Sequence, residues 1–138
     1  MRVFQLDVRL DSDTLALTAL PLCDLRLMND ARWPWLILVP RIVAASEVHD
    51  LSPADQMQLS HETALVARVL KGFTGCEKIN SAAIGNIVRQ LHVHVIARSQ
   101  GDANWPGPVW GFDTKVPYNL TQAALLTEQL KRSIESGA

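Results

Sequence analysis

The chain's four histidines are His49, His61, His92 and His94, and the last two fall two residues apart in the run Gln90-Leu91-His92-Val93-His94-Val95-Ile96-Ala97-Arg98. Read as a β-strand, the run alternates its side chains, so Gln90, His92 and His94 share one face while Leu91, Val93 and Val95 share the other. Same-face neighbours on a strand stand about 7 Å apart. At that spacing one imidazole can meet a reacting atom while the next meets a departing oxygen, and a phosphoryl group fits between them. A lone strand histidine is usually a hydrogen-bonded structural residue. Two in alternation with Gln are not explained that way, because a core strand would be apolar on both faces and a solvent-facing one richer in Thr, Lys or Glu. Titratable groups clustered beside apolar walls mark functional sites, and this run is the candidate.

The motif Gln90-Leu91-His92-Val93-His94-Val95-Ile96 resembles the signature of the histidine triad (HIT) superfamily of nucleotide hydrolases and transferases. That signature is His-φ-His-φ-His-φ-φ, with φ apolar, and Gln90 stands where its first histidine is usual. Residues 80–86, Asn-Ser-Ala-Ala-Ile-Gly-Asn, resemble the loop ahead of the triad, where polar side chains contact phosphate oxygens. The similarity is loose over most of the chain and specific over residues 80–98. It is close to a bacterial branch that shares the Gln-for-His change and carries Trp-Pro-Gly-Pro-Val-Trp-Gly downstream, here residues 105–111. The resemblance implies His92 as nucleophile, His94 in the third triad position and Gln90 in the first, with Asn80, Asn86, Asn29 and Arg98 contributing to substrate binding. It also implies that His49, in His49-Asp50-Leu51 ahead of a helix, stands near the triad, and that two copies pair as a symmetric homodimer.

The implied reaction is attack of a neutral imidazole on the α-phosphorus of a nucleotide, giving a nucleotidyl-histidine that water then cleaves. Imidazole, with an ordinary pKa of about 6.5, is largely neutral at pH 7. His92 then needs its second nitrogen hydrogen-bonded, commonly to a backbone carbonyl, so that the tautomer is fixed. His94, protonated or as an N–H donor, would stabilise charge on a phosphoryl or leaving oxygen with help from Asn80, Asn86 and backbone amides. No metal or cofactor enters this scheme. Gln90 cannot carry a proton at neutral pH, although its amide can donate to an oxygen and accept from a ring. A catalytically weak or inactive nucleotide-binding protein is therefore the alternative. Two same-face histidines could also ligate zinc or iron, but no Glu, Asp or further His follows His94 at close spacing.

The elements that must position these residues are legible in outline. Residues 1–12 read equally as a strand or a short helical turn. Residues 13–20 alternate as a strand closed by Pro21, and Cys23, Leu25, Leu27 and Met28 form a second apolar run that would pair with it antiparallel. Asn29, Asp30 and Arg32 supply a turn before residues 33–41, an apolar strand expected to be buried on both faces. Trp33 and Trp35 could stack on a base, although at least one is expected in the core. Ser52 caps a helix with Pro53 in its first turn, expected to run to about Lys71 ahead of Gly72. His61 lies in that helix and is expected to be structural or exposed. A strand over residues 77–83 should form a hairpin with the histidine strand through Gly85-Asn86, carrying Asn80 towards His92. Residues 99–111 form a loop that could be a lid, a dimer contact or a packed surface loop. Leu120, Ala123, Leu126, Leu130 and Ile134 define a C-terminal amphipathic helix.

These elements predict an α+β, HIT-like fold over residues 1–138 as one domain, with a mainly antiparallel sheet, one long helix packed on it and a C-terminal helix. The 138 residues suffice to bury a core without staples. A net charge of −1 gives no electrostatic case for binding a nucleic-acid polymer or a membrane surface, so any phosphate site must be local. Cys23 and Cys76 stand in no metal-ligand spacing and are expected to be reduced. The N-terminus lacks a signal-like apolar core and no run reaches membrane-spanning length, so the expected location is cytoplasmic.

Overall fold

The computed structural model describes residues 2–137. Strands β1 (Thr14–Ala19), β2 (Cys23–Met28), β3 (Trp35–Pro40), β4 (Lys78–Ala82) and β5 (Val93–Arg98) form a five-stranded antiparallel sheet in the order β1-β2-β3-β5-β4. Helices α1 (Val8–Asp13), α2 (Pro53–Thr74) and α3 (Leu120–Ser136) complete the α+β architecture. Among the described residues no helix is long and apolar enough to cross a membrane.

Alternation along the strands divides the core into two layers. Leu36 and Leu38 of β3 join Val93 and Val95 of β5 beneath α2 and α3, in a cluster with Val66, Leu70, Leu130 and Ile134. Ile37 and Val39 point the other way and meet Ile96, Trp33, Trp35, Leu10 and Val109. All six residues of β3 are buried, as a strand covered on both faces requires. Two-sided cover also explains why β5 is buried throughout although it carries two polar side chains, His94 and Arg98.

Several boundaries differ from those expected. The ambiguous N-terminal segment turns helical at Val8, where the Asp7 side chain caps the first turn. Helix α2 starts as expected, with the Ser52 hydroxyl accepting from the Asp55 amide, but continues through Gly72 to Thr74. Its cap is Gly75, whose φ of 68° is the left-handed geometry that glycine adopts most easily. The ladder of the histidine strand begins at Val93, so Gln90, Leu91 and His92 lie ahead of it. The expected tight Gly-Asn hairpin is likewise absent, since residues 83–92 separate β4 from β5. Residues of this longer connection, among them Gly85, Asn86 and Val88, line cavities together with His92.

Buried polar groups tie the layers together. Glu62 of α2, 1% exposed, accepts hydrogen bonds from the Leu22 and Cys23 amides at 2.8 and 2.9 Å and from Gln58, pinning the β1–β2 turn to the helix. Burial, reinforced by that carboxylate, pushes the Cys23 thiol far above its ordinary range. Both cysteines are free and buried.

Candidate active site

His92 is 6% exposed, and its Nδ1 lies 2.7 Å from the backbone oxygen of Gln90. A carbonyl can only accept, so Nδ1 carries the proton and the neutral ring keeps its lone pair on Nε2. His94, on β5 opposite Ile37 of β3 and Ala82 of β4, is paired the other way round. The Trp35 indole Nε1–H donates to His94 Nδ1 at 3.0 Å, while His94 Nε2 is buried with no hydrogen-bond partner. The ring centroids of the two histidines are 4.9 Å apart with planes 69° to one another. Burial, and secondarily the charge of His92, lower the His94 pKa to about 4, the backbone of Ile84 pulling weakly the other way. Of the two expected forms of His94, the neutral N–H donor is therefore the one present at pH 7. One ring offers a lone pair and its neighbour an N–H, which suits nucleophilic attack at an atom whose substituent oxygen takes the hydrogen bond.

Two cavities meet at His92 and Asn86. A polar one of about 230 Å³ is walled by Ser46, Glu47, Gly85, Arg89 and Gln90. A more apolar one of about 330 Å³ is walled by Leu10, Met28, Trp35, Ile37, His94 and Trp110. Gly85 is required in the loop between them, because a Cβ there would come within 2.7 Å of the Val88 carbonyl oxygen.

The remaining expected site residues fall into different places. Asn86 is exposed and lines both cavities. The Gln90 side chain bonds to neither imidazole. Its amide nitrogen donates to the Gln5 carbonyl at 2.8 Å and its oxygen accepts from the Asp7 amide at 2.9 Å, which clamps the segment leading into α1. Gln90 thus orients His92 through its backbone carbonyl alone, and its side chain holds the helix that carries Leu10 into the apolar cavity.

Arg98 and Asn80 lie elsewhere. Arg98, 1% exposed, makes a bidentate pair with Asp102 at 2.8 and 2.8 Å and donates to the Gly107 carbonyl and to Asn80 Oδ1. This contact keeps the Asp102 carboxyl below its ordinary range. Arg98 is therefore an internal anchor with no donor facing either cavity. Asn80, registered opposite Ile96, accompanies it and lines neither cavity. The loop they hold is packed rather than free. Val109 is 2% exposed, and the Trp110 ring stands 5.3 Å from that of His94, centroid to centroid.

Asn29 accepts from the Tyr118 amide at 3.0 Å and so fastens the approach to α3. Asp30 is held low by the Arg32 guanidinium, with the Arg32 and Val116 amides, despite burial that would raise it. The Asn29-Asp30 turn is thus structural. The His49 side chain is 84% exposed and lines neither cavity. His61 is exposed on α2. Trp33, fully buried, donates to the Ala103 carbonyl and belongs to the core, whereas Trp35 faces the site.

Arg89, Trp110 and the partnership of Trp35 with His94 belong to the site without being marked by the motif. Arg89 adjoins the motif and its charge was legible. The other two depend on strand register and on how the 99–111 loop folds back.

The HIT domain family model matches residues 9–101. A histidine triad protein from Sinorhizobium meliloti is 54% identical, with a TM-score of 0.92 over 94% of this chain and 96% of that one. One from Marinobacter aquaeolei is 44% identical, with a TM-score of 0.95 over 99% and 100%. Another from Bradyrhizobium japonicum is 44% identical, with a TM-score of 0.93 over 96% and 99%. A comparison with curated proteins finds no match.

Proposed function

Since the chain belongs to the histidine triad family, we propose that it is a nucleotide hydrolase or nucleotidyl transferase that acts at the α-phosphate through a nucleotidyl-histidine on His92. The observation that carries this reading is the opposite pairing of the two Nδ1 atoms, a carbonyl against that of His92 and an indole N–H against that of His94, which favours a lone pair on His92 Nε2 and a proton on His94 Nε2. In the first step a bond forms between His92 Nε2 and phosphorus as the bond from phosphorus to the leaving group breaks, the electron pair departing with that group. Water then attacks phosphorus, the N–P electron pair returns to His92 Nε2, the water's proton passes to solvent, and nucleoside monophosphate leaves. Throughout, His94 donates to a phosphoryl oxygen and stabilises its charge, since catalysis of such transfers is chiefly positioning and electrostatics.

The two cavities suit the two halves of such a substrate. The apolar one, between Met28, Ile37 and Trp35, accepts a nucleoside, and the polar one, with Arg89 and Asn86, accepts the leaving group. The clamped amide of Gln90 supplies no acid for the leaving group, so groups that depart as stable anions are favoured over amines. The active form is a homodimer. Strand β4 is a sheet edge, and beside it α2 and β5 form a shallow groove lined by Leu59, Ala64, Ala67 and Val93, which a second copy would cover.

The test is release of nucleoside monophosphate from adenylylated and guanylylated substrates by the native protein and by His92→Ala. Release by the native protein alone supports the covalent mechanism. Nucleotide binding without release by either protein overturns it in favour of a binding protein.

A further inference from the structure

The hydrogen bond between Trp35 and His94 spans two strands and is not accounted for by packing. In the register of β3 and β5, Trp35 lies opposite Ile96 and Ile37 opposite His94, so the indole reaches diagonally across the pair to the imidazole. An apolar side chain would fill that space equally well. Indole N–H is a donor with no acceptor capacity, so the nitrogen it meets must carry a lone pair.

We infer that Trp35 is a positioning residue that locks His94 in its Nε2–H tautomer, making it a fixed hydrogen-bond donor to the phosphoryl oxygen and never a general acid. The role towards phosphate rests on the function proposed above; the tautomer itself does not. With Nδ1 engaged as an acceptor, the ring's one proton sits on Nε2, the nitrogen left without a hydrogen-bond partner among the described residues. A buried donor with no firm partner is unfavourable, and a ligand oxygen relieves it. Protonating the ring would set an Nδ1–H against the indole N–H, so the same contact opposes the cation. Burial works in the same direction. Trp110 packs on the ring edge-on at a centroid distance of 5.3 Å and brings no charge. The titratable groups in the surrounding wall are His92 and, from α1, Arg9 and Asp13, whose side chains pair with each other at 3.7 Å. Among the described residues no carboxylate bonds to His94 to favour its cationic form. Since a neutral Nε2–H imidazole would become an imidazolate on losing its proton, His94 stabilises charge without moving a proton.

The test is ring-¹⁵N NMR of the full-length protein with and without Trp35→Phe, which keeps an aromatic ring and removes the N–H. The native protein is expected to show His94 Nδ1 unprotonated and Nε2 protonated from pH 8 down to pH 5.5. In Trp35→Phe the ring is expected to populate the other tautomer and to take up a proton at higher pH. With nucleotide substrate, kcat should fall about 10- to 100-fold, in line with disturbing one oxyanion donor, a larger change than any rise in KM from the smaller ring in the cavity wall. A native His94 with Nδ1–H, or one that titrates like a free histidine, overturns the assignment without any need for the variant to fold. Unchanged kcat in a variant whose tautomer has shifted overturns the positioning role. Absence of turnover by the native protein, with the expected tautomer observed, counts against the proposed reaction and leaves the lock standing.

Discussion

At the scale of single residues, the site depends on what each imidazole bonds to on its far side. His92 and His94 are chemically identical, with ring centroids 4.9 Å apart, yet a carbonyl behind one and an indole behind the other give them opposite capacities at their Nε2 atoms. Burying His94 in neutral form has a consequence for stability. Its folded pKa of about 4 lies below the ordinary 6.5, so between these values the unfolded chain binds the extra proton. Stability from this group is complete above pH 6.5, declines as the pH falls and is gone by pH 4, a swing of about 3 kcal/mol. Urea denaturation at pH 7 and pH 4.5 should reveal the decline. The His94→Phe variant should flatten it, whereas an equal decline in that variant would assign the effect to other groups.

At the scale of elements, the departure from the triad motif finds a structural use. The Gln90 amide joins the last turn before β5 to the chain entering α1, with one hydrogen bond to Gln5 and one to Asp7. Helix α1 has only six residues and could not persist alone, so this clamp decides whether Leu10 and Arg9 stay in the cavity wall. Each hydrogen bond contributes about 1 kcal/mol, and Gln90→Leu should therefore raise KM by about tenfold with little change in kcat. Hydrogen exchange over residues 5–13 should accelerate in the same variant. A fall in kcat at constant KM would instead place the Gln90 side chain in the chemistry. Arg98 is a comparable tie on the opposite flank, where four hydrogen bonds, to Asp102, Ala103 and Gly107, hold the 99–111 loop and through it Trp110.

At the scale of the whole molecule, one sheet separates a helix-covered layer from the layer that builds the candidate site, and the proposed dimer would form along the β4 edge. Ala64 lies exposed in the groove along α2, where a long charged side chain disturbs no intramolecular packing. Sedimentation of the native protein should give twice the monomer mass, and Ala64→Arg should return it to a monomer. A native monomer, or a dimer indifferent to the substitution, would rule out this face.

Local chemistry made much of this protein readable from residue order alone. The all-apolar β3, the Ser52-Pro53 helix start, the α+β class and the closeness of His92 to His94 follow from periodicity, capping and a short motif, which act within a few residues. The extension of α2 past Gly72 does not, because packing on the sheet outweighs the small helix propensity cost of one glycine. Nor do the fates of Arg98, Asn80, Asn29 and Gln90, whose polar groups could have served phosphate as well as backbone. Their partners lie 4, 18, 89 and 83 to 85 positions away, and only the closed fold decides which they meet. Trp35 is the clearest case. Its composition suggested stacking or core, and the β3–β5 register, set by contacts 59 residues apart, aims its N–H at His94.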